Sequence, residues 1–218
     1  MSAGNPILRL AWRAVQLSGL DDRLMRSQVP ALHADGWFRS RREHRSVDLA
    51  GEPLPWISYP AIELLRRRVR PDMTVFEYGS GASTAWWARR VARVVAVEHD
   101  AGWAERVGAQ LPPNATVTHV PLDDGGAYAQ NVLAHGVRFD VVVIDGRQRV
   151  RCVGAAIEAL RPGGVIVFDN SDRPQYEPGF RALADAGFKR VELIGLAPAI
   201  DYKTETSILY RGENCLGL

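Results

Sequence analysis

The amino-acid sequence predicts an α/β fold with a doubly wound, mostly parallel sheet. Short apolar runs that are continuous rather than alternating recur after residue 72, as is typical of parallel strands covered on both faces. Helical segments separate these runs, so strand and helix alternate along the chain. Two final apolar runs are joined by a short Gly/Pro loop instead of a helix, which predicts a C-terminal antiparallel hairpin. The length of 218 residues suits one such domain with an appendage.

The same patterns place the individual elements. Five parallel strands are predicted at residues 74–76, 94–97, 117–120, 141–144 and 165–168. Helices that make right-handed crossovers are predicted at residues 83–91, 103–110 and 153–160. The hairpin is predicted from residues 189–194 and 206–210, at one edge of the sheet. A helix over 60–69 precedes the first strand and ends before Pro71.

Residues 1–52 have a different texture and predict an N-terminal helical and irregular arm docked on a second region, residues 53–218. A Gly- and Pro-rich stretch over 51–56 separates the two. At the start of the arm, Asn5 and Pro6 suit the first turn of a helix whose apolar face carries Ile7, Leu8, Ala11, Trp12 and Val15. We expect this face to dock on the protein body; the alternative is weak contact with a membrane surface.

Composition excludes several classes of protein. The formal net charge is only +2, which predicts no nucleic-acid partner bound through phosphate neutralisation. No apolar run approaches the roughly 20 residues that a membrane-spanning helix needs. Two cysteines far apart, Cys152 and Cys215, make neither a disulfide framework nor a metal motif, so a cytoplasmic location is expected. Nearly all 27 basic residues are arginine, which weakens the significance of any single arginine cluster.

Each predicted parallel strand is followed by an acidic residue. In an open parallel sheet, ligands bind beyond the carboxyl ends of the strands, near the point where the strand order reverses. The acids at these positions are Glu77, Glu98, Asp123 with Asp124, Asp145 and Asp169. The residues at the strand ends therefore carry the functional information.

The first strand end favours a cationic ligand. Gly79 and Gly81 allow a tight turn and close approach of the backbone to a ligand. A dinucleotide-binding loop has a third glycine where this chain has Thr84, and a pyrophosphate is repelled by a carboxylate such as Glu77. Glu98 follows at about the interval from which an acid reaches the ribose hydroxyls. A nucleoside with a positively charged tail fits this set, and S-adenosylmethionine is the common one.

Four motifs in order resemble those of class I S-adenosylmethionine-dependent methyltransferases. The first two lie in the segment TVFEYGSGASTAWWARRVARVVAVEHD (74–100), and the other two are FDVVVIDGR and LRPGGVIVFDN. The resemblance covers about residues 60–211 and implies a Rossmann-like sheet. It implies that Glu77, Gly79 and Gly81 line the methionine part, that Glu98 binds the ribose, and that His99 flanks the adenine. The implied cofactor-binding residues are Glu77, Gly79, Ser80, Gly81, Glu98, His99, Asp123 and Asp124.

Each of these assignments has a purely structural alternative. The two glycines can form a plain turn, and His99 can be an ordinary surface residue. Either Asp123 or Asp124 is implied to contact the adenine, yet both precede Gly125 and Gly126 and suit a turn.

The last two strand ends raise the question of a metal. Asp145, Asp169 and Asn170 resemble the residues that hold Mg²⁺ in catechol-type O-methyltransferases, and hard oxygen ligands suit that ion. Such a metal lowers the pKa of an acceptor hydroxyl. However, Gln148 stands where that family has a catalytic lysine. The alternative is that Asp145 orients the methionine amine or acts as the base, while Asp169 and Asn170 cap a turn.

The acceptor is not named by the sequence. Parts outside the core select it: the arm, residues 56–59 with Trp56 and Tyr59, and the loop 171–176. Arginines at 147, 149 and 151 are candidates for binding an anionic acceptor, and on a helix the first and last of them share a face.

We therefore expect an S-adenosylmethionine-dependent methyltransferase that acts on a small-molecule or sugar-type acceptor, at oxygen, with Asp145 as the catalytic residue. The alternative is a catalytically inactive relative that binds the nucleoside or serves as a scaffold. A nicotinamide-dependent oxidoreductase is disfavoured by Glu77 and Thr84. No oligomeric state follows from the sequence.

Overall fold

The computed structural model describes residues 10, 11, 14, 15, 18 and 29–218. The five described residues before 29 are helical, in agreement with the predicted N-terminal helix, and Leu10 among them is exposed. The predicted start of that helix, Asn5 and Pro6, lies outside the described residues, as do Ile7, Leu8 and Trp12.

The fold is centred on a seven-stranded sheet with the strand order β3-β2-β1-β4-β5-β7-β6. Its strands are β1 (Thr74–Tyr78), β2 (Arg93–Glu98), β3 (Ala115–His119), β4 (Phe139–Ile144), β5 (Leu160–Asp169), β6 (Lys189–Gly195) and β7 (Thr204–Tyr210). The first five strands are parallel, and β7 pairs antiparallel with both β5 and β6. The predicted doubly wound sheet with a terminal hairpin is confirmed. Its strand order reverses between β1 and β4.

Helices cover the sheet on both faces. They are α1 (Pro30–Ala34), α2 (Trp37–Glu43), α3 (Tyr59–Arg68), α4 (Ala82–Ala88), α5 (Ala101–Gly108), α6 (Ala127–Gln130), α7 (Arg149–Ala159) and α8 (Glu177–Asp185). Two 3₁₀ turns follow α6 and precede α8, at Asn131–His135 and Pro174–Tyr176. Sequence patterns missed α8, because it starts at Glu177–Pro178 immediately after a loop-like stretch. They also missed α2, because its many polar residues predict irregular structure.

Alternation along the strands divides the core into two clusters. On one face Phe76 and Tyr78 of β1 pack with aromatic side chains of β4, β5 and α8, namely Phe139, Phe168 and Phe180. On the other face Val75 packs with Trp86 and Trp87 of α4 and with Leu65 of α3. All of these residues are buried, as expected for parallel strands covered on both sides. The two clusters hold the helices against the sheet, and the site lies at one edge of that sheet.

The described part of the arm contacts the rest of the chain. Trp37 Nε1 donates a 2.7 Å hydrogen bond to the carbonyl of Ile200, and both Trp37 and Phe38 are buried. Val47 forms an isolated antiparallel bridge with Pro53. Both cysteines are free. Among the helices in the described ranges, none has the length and apolar character needed to cross a membrane.

Candidate functional site

Two loops meet at the point where the strand order reverses. Gly79 follows β1 with φ of +93°, a left-handed conformation that favours glycine. A Cβ placed on Gly79 would lie 3.2 Å from Cα of Gly146, and one on Gly146 would lie 2.1 Å from the hydroxyl of Tyr128. The loops after β1 and β4 therefore approach each other at glycines, and side chains are excluded from the contact. Sequence analysis assigned no role to Gly146 or Tyr128.

A cavity of about 280 Å³ opens at this point, which we call the strand-end cavity. It brings together six of the residues assigned to the cofactor or to catalysis from the sequence. Its lining includes Glu77, Gly79, Ser80, Glu98, His99 and Asp145, together with Ser83, Gly146, Arg147 and Arg149. Acidic residues at the ends of β1, β2 and β4 thus face one space, whereas the other predicted strand-end acids, Asp123, Asp124 and Asp169, are not part of its lining.

Glu98 at the end of β2 is held by hydrogen bonds from its neighbours. Its Oε2 accepts from the backbone N–H of Ser80 at 3.0 Å and from the Ser80 hydroxyl at 3.2 Å. Its Oε1 accepts from the backbone N–H groups of His99 and Asp100, and lies 2.6 Å from Nδ1 of His99. The carboxylate is therefore fixed in orientation. A ligand hydroxyl that binds it must replace the Ser80 hydroxyl or the His99 ring as a donor.

Glu77 at the end of β1 is buried and only half satisfied. Its Oε2 accepts a short hydrogen bond from the hydroxyl of Thr84, whereas Oε1 has no hydrogen-bond partner among the described residues. Burial raises the pKa of Glu77 to about 7, and the Glu98 carboxylate adds to the shift while the Ser83 and Thr84 hydroxyls oppose it. Glu77 lines the strand-end cavity, and an unpartnered buried carboxylate oxygen beside that space favours a cationic ligand group.

Asp145 and Asp169, at the ends of β4 and β5, share one guanidinium. Nη2 of Arg149 lies 2.8 Å from Oδ1 of Asp145, and Nη1 lies 3.9 Å from Oδ2 of Asp169. The same side chain donates to the backbone carbonyls of Asp145, Gly146 and Asp169. Arg149 is therefore a buried clamp between the two strand ends.

The charges of Asp145, Asp169 and Arg149 together favour the protonated form of Asp145. Burial and then the neighbouring Asp169 carboxylate raise the pKa of Asp145 well above its ordinary value, while Arg149 opposes the shift. Burial also raises the pKa of Asp169, although the Thr206 hydroxyl donates to it at 2.7 Å. One guanidinium facing two carboxylates leaves a net negative charge, which favours uptake of a proton.

The geometry does not fit the Mg²⁺ ion that resemblance implied for Asp145, Asp169 and Asn170. Arg149 already supplies the positive charge beside the two aspartates. The Asn170 amide donates to the hydroxyl of Thr204 at 3.3 Å, on β7. Within the described ranges, no three His, Cys, Asp or Glu side chains are grouped so that they could hold a metal ion.

The two aspartates expected near the adenine, Asp123 and Asp124, do not line the strand-end cavity, whereas His99 does. The Asp123 carboxylate accepts hydrogen bonds from the backbone N–H groups of Gly126 and Ala127, so it has the turn-forming role weighed as its alternative. Asp124 is exposed. Gln148, the departure from the catechol-type pattern, donates to the carbonyl of Asp123 at 3.3 Å. The adenine contact of either aspartate stays a prediction.

A second cavity of about 660 Å³ adjoins the first, and we call it the arm cavity. One wall comes from the arm and the segment that follows it, through His44, Arg45, Ser46, Pro53 and Trp56. The rest of the wall comes mainly from α4 and α5, through residues that include Ala82, Trp103 and Arg106. Ser80, Ser83 and Asp145 line both cavities, so the two spaces are neighbours.

The residues that the sequence predicts to bind the methyl acceptor lie in different parts of the structure. Trp56 lines the arm cavity and is 56% exposed, whereas Tyr59 packs against the core. Arg147 precedes α7 and lines the strand-end cavity; Arg151 lies within the helix. The prediction that these two arginines share a helix face is wrong, because Gln148 between them has a left-handed φ of 49°.

Comparison with known proteins identifies a methyltransferase domain. Residues 76–171 match a family model described as "Methyltransferase domain", and this range runs from β1 to the end of β5, across every acid of the strand-end cavity. The matched segment lies in a sheet that has the fold of class I S-adenosylmethionine-dependent methyltransferases. A search of curated proteins finds no match.

Solved structures share the fold of this methyltransferase. An O-methyltransferase from Bacillus cereus, in complex with SAH, has 18% identity and a TM-score of 0.58, covering 75% of this chain and 86% of that one. The O-methyltransferase TomG from Streptomyces achromogenes, in complex with SAM, has 20% identity and a TM-score of 0.57, covering 82% and 90%. An rRNA methylase from Streptococcus thermophilus has 10% identity and a TM-score of 0.51, covering 72% and 99%.

The site of this methyltransferase fits its methyl donor. The free Oε1 of buried Glu77 is a partner for an ammonium or sulfonium group, and a cation there favours the ionised carboxylate. The fixed Glu98 carboxylate already accepts a hydrogen bond from the Ser80 hydroxyl, a donor that a ligand hydroxyl can replace. Gly79, in its left-handed conformation, leaves the loop backbone free of a side chain.

Proposed function

We propose that this methyltransferase transfers the methyl group to an oxygen atom of a small-molecule acceptor, with Asp145 as the proton acceptor. The observation that supports this function is that Asp145 is the carboxylate lining both the strand-end cavity and the arm cavity. A donor in the first space and an acceptor in the second would meet beside its side chain, which is 26% exposed.

The donor-side roles follow from the contacts already described. Glu77 would bind the amine of the methionine part through its free Oε1, and Glu98 would bind the ribose hydroxyls. His99, Ser80, Gly79 and Gly81 would shape the surrounding wall. The adenine would reach toward the loop that holds Asp123 and Asp124.

The acceptor-side chemistry needs alignment and a place for one proton. S-adenosylmethionine supplies an electrophilic methyl group on a cationic sulfur, which leaves as a neutral thioether after in-line attack. The attacking hydroxyl loses its proton to Asp145, whose raised pKa makes the carboxylate a better base than an ordinary aspartate. Arg149 keeps the Asp145 side chain in place through its 2.8 Å ion pair.

The arm, residues 1–52, would close the acceptor side of the site while residues 53–218 bind the donor. Its described part supplies the wall of the arm cavity at His44, Arg45 and Ser46. Buried Trp37 anchors that wall to the body through Ile200.

Two measurements test the function. Calorimetric titration with S-adenosylhomocysteine and NAD⁺ side by side should show binding of the first alone. Incubation of the protein with isotope-labelled S-adenosylmethionine and a pool of small hydroxylated compounds should give products with the label on oxygen, located by fragmentation in mass spectrometry. Asp145→Asn should lower kcat about 10²–10⁴-fold, the usual contribution of a general base. Label on nitrogen or in RNA, or unchanged turnover by Asp145→Asn, would contradict the proposal.

A further inference from the structure

The walls of the arm cavity carry two arginines without a paired carboxylate, whereas Asp145, the acid in the lining, is already paired with Arg149. Arg45 lines the cavity from the arm and Arg106 from α5, and neither has a carboxylate within ion-pair distance in the part of the chain that the structure describes. Arg106 instead lies over the ring of Trp103, with 5.3 Å between the guanidinium carbon and the ring centroid. By contrast, several arginines elsewhere on this surface pair with acids, as Arg39 does with Glu43 and Arg67 with Glu63.

The same walls expose aromatic surface. Five tryptophans lie in the described residues, and three of them are buried: Trp37, Trp86 and Trp87. The two exposed ones, Trp56 at 56% and Trp103 at 43%, both line the arm cavity. Exposed indole rings that face a concave space are suited to stacking on flat rings or on the apolar face of a sugar.

We infer that the arm cavity binds an acceptor that joins a planar or sugar ring to an anionic group, carboxylate or phosphate. The inference rests on the proposed methyl transfer and names its substrate class. Arg45 and Arg106 hold the anion, because a guanidinium pairs with both types of oxyanion. Trp56 and Trp103 bind the ring, and the hydroxyl to be methylated points to Asp145, where the cavities meet. The volume of about 660 Å³ lies within the range of small-molecule sites.

Matched pairs of compounds test the inference. The probes are 3,4-dihydroxybenzoate against its methyl ester, glucuronate against its methyl ester, and glucose 6-phosphate against glucose. With S-adenosylhomocysteine present, calorimetry should show at least one anion binding about tenfold or more tightly than its neutral partner. The carboxylate and phosphate arms then identify which anion is preferred. Equal affinity within every pair, or no binding by any of the three anions, overturns the inference.

Variants locate the anion. Arg45→Gln and Arg106→Gln should each weaken binding of the preferred anion about tenfold and leave its neutral partner unaffected. Their affinity for S-adenosylhomocysteine should match the wild type. Arg211→Gln is the control, because Arg211 also lacks a carboxylate partner among the described residues but follows β7, whose antiparallel direction places it at the end of the sheet away from the strand-end cavity. If the two arginine variants weaken only the binding of S-adenosylhomocysteine, then the guanidinium contacts the donor and the inference is overturned. Failure of the wild type to bind S-adenosylhomocysteine would instead refute the proposed function.

Discussion

The two halves of the site treat the same residue type in opposite ways. On the β1–β2 side, Glu77 and Glu98 are buried carboxylates whose partners are neutral hydroxyls, backbone N–H groups and one imidazole. On the β4–β5 side, Asp145 and Asp169 lie against the guanidinium of Arg149. One half leaves negative charge for a ligand to neutralise, and the other half has most of its neutralising charge built into the protein.

This difference separates binding from positioning. A cation that arrives with the ligand gains from an uncompensated carboxylate, so affinity is concentrated on the β1–β2 side. A fixed guanidinium keeps two strand ends together with or without ligand, so the β4–β5 side contributes geometry and a proton site. The variants below are expected to affect these two properties separately.

The largest expected effect is at the glycine between the halves. Gly79→Val should abolish measurable S-adenosylhomocysteine binding in calorimetry, because a side chain is strained at φ of +93° and approaches Gly146 closely. Circular dichroism should still show a folded protein. Gly108→Val is the control, since no atom lies within 4 Å of an added Cβ there. Normal binding by Gly79→Val would mean that the loop is a plain turn.

Removing the internal guanidinium should cost stability rather than donor affinity. Arg149→Met leaves buried Asp169 and part-buried Asp145 without their counter-charge, and we expect a loss of about 3–5 kcal/mol in the free energy of unfolding. Chemical denaturation measures this loss. Adding Asp145→Asn to the variant should restore part of it, whereas exposed Arg151→Met serves as the control with little effect. A full-strength loss of donor affinity in the folded variant would contradict the separation of roles.

Removing the Glu98 carboxylate, which would bind the ribose, should cost donor affinity rather than stability. Glu98→Ala is expected to weaken S-adenosylhomocysteine binding by roughly 1.5–3 kcal/mol, the range for hydrogen bonds to a charged group. Isothermal calorimetry checks this, with exposed Glu105→Ala as the control. Unchanged affinity in Glu98→Ala would place the ribose elsewhere.

The pKa of Glu77 predicts a pH dependence of donor affinity. Because this pKa is raised to about 7, the carboxylate ionises between about pH 6 and pH 8, and affinity for the cationic donor should rise about tenfold across that range. Glu77→Gln should remove the dependence.

The contribution of Glu77 to protein stability should fall as pH rises, whereas donor affinity should rise. A folded-state pKa above the unfolded value stabilises the protein at low pH, and this stabilisation is lost as pH rises through about 7. Relative to wild type, Glu77→Gln should therefore have a higher Tm at pH 8 than at pH 5, by roughly 2–4 °C for each kcal/mol. A pH-independent difference in Tm would show that this carboxyl has an ordinary pKa.

The smallest expected effect is that of metal removal. EDTA should leave turnover unchanged, because Arg149 supplies the charge that a divalent ion would bring to Asp145 and Asp169. Loss of activity in EDTA that Mg²⁺ restores would refute this interpretation of the β4–β5 half.

Much of the fold and the donor half could be predicted from local sequence. Continuous apolar runs identify β1 to β5, and acids directly after them identify Glu77, Glu98 and Asp145. These features depend on neighbours in the chain and on the rule that parallel strands end at one edge.

What could not be predicted depends on contacts between distant segments. The role of Arg149 follows from a left-handed residue, Gln148, that starts α7 one turn earlier than its apolar pattern suggests. The closeness of Gly79 and Gly146 depends on pairing of β1 with β4, across 67 residues of chain. The arm cavity is formed by residues of both the arm and α5. Their polar and aromatic residues share no sequence pattern that would predict that the two segments lie close together.

Trp103 gives the site an optical property. Its indole Nε1 donates a 2.7 Å hydrogen bond to the carbonyl of Ser80, so the ring is attached to the glycine loop, and 43% of the residue is exposed. The emission of an indole depends on the polarity around it and on what its N–H donates to. Movement of the loop therefore changes the fluorescence of this residue. With Trp56 replaced by phenylalanine, the remaining exposed indole in the described residues reports loop occupancy without an added label.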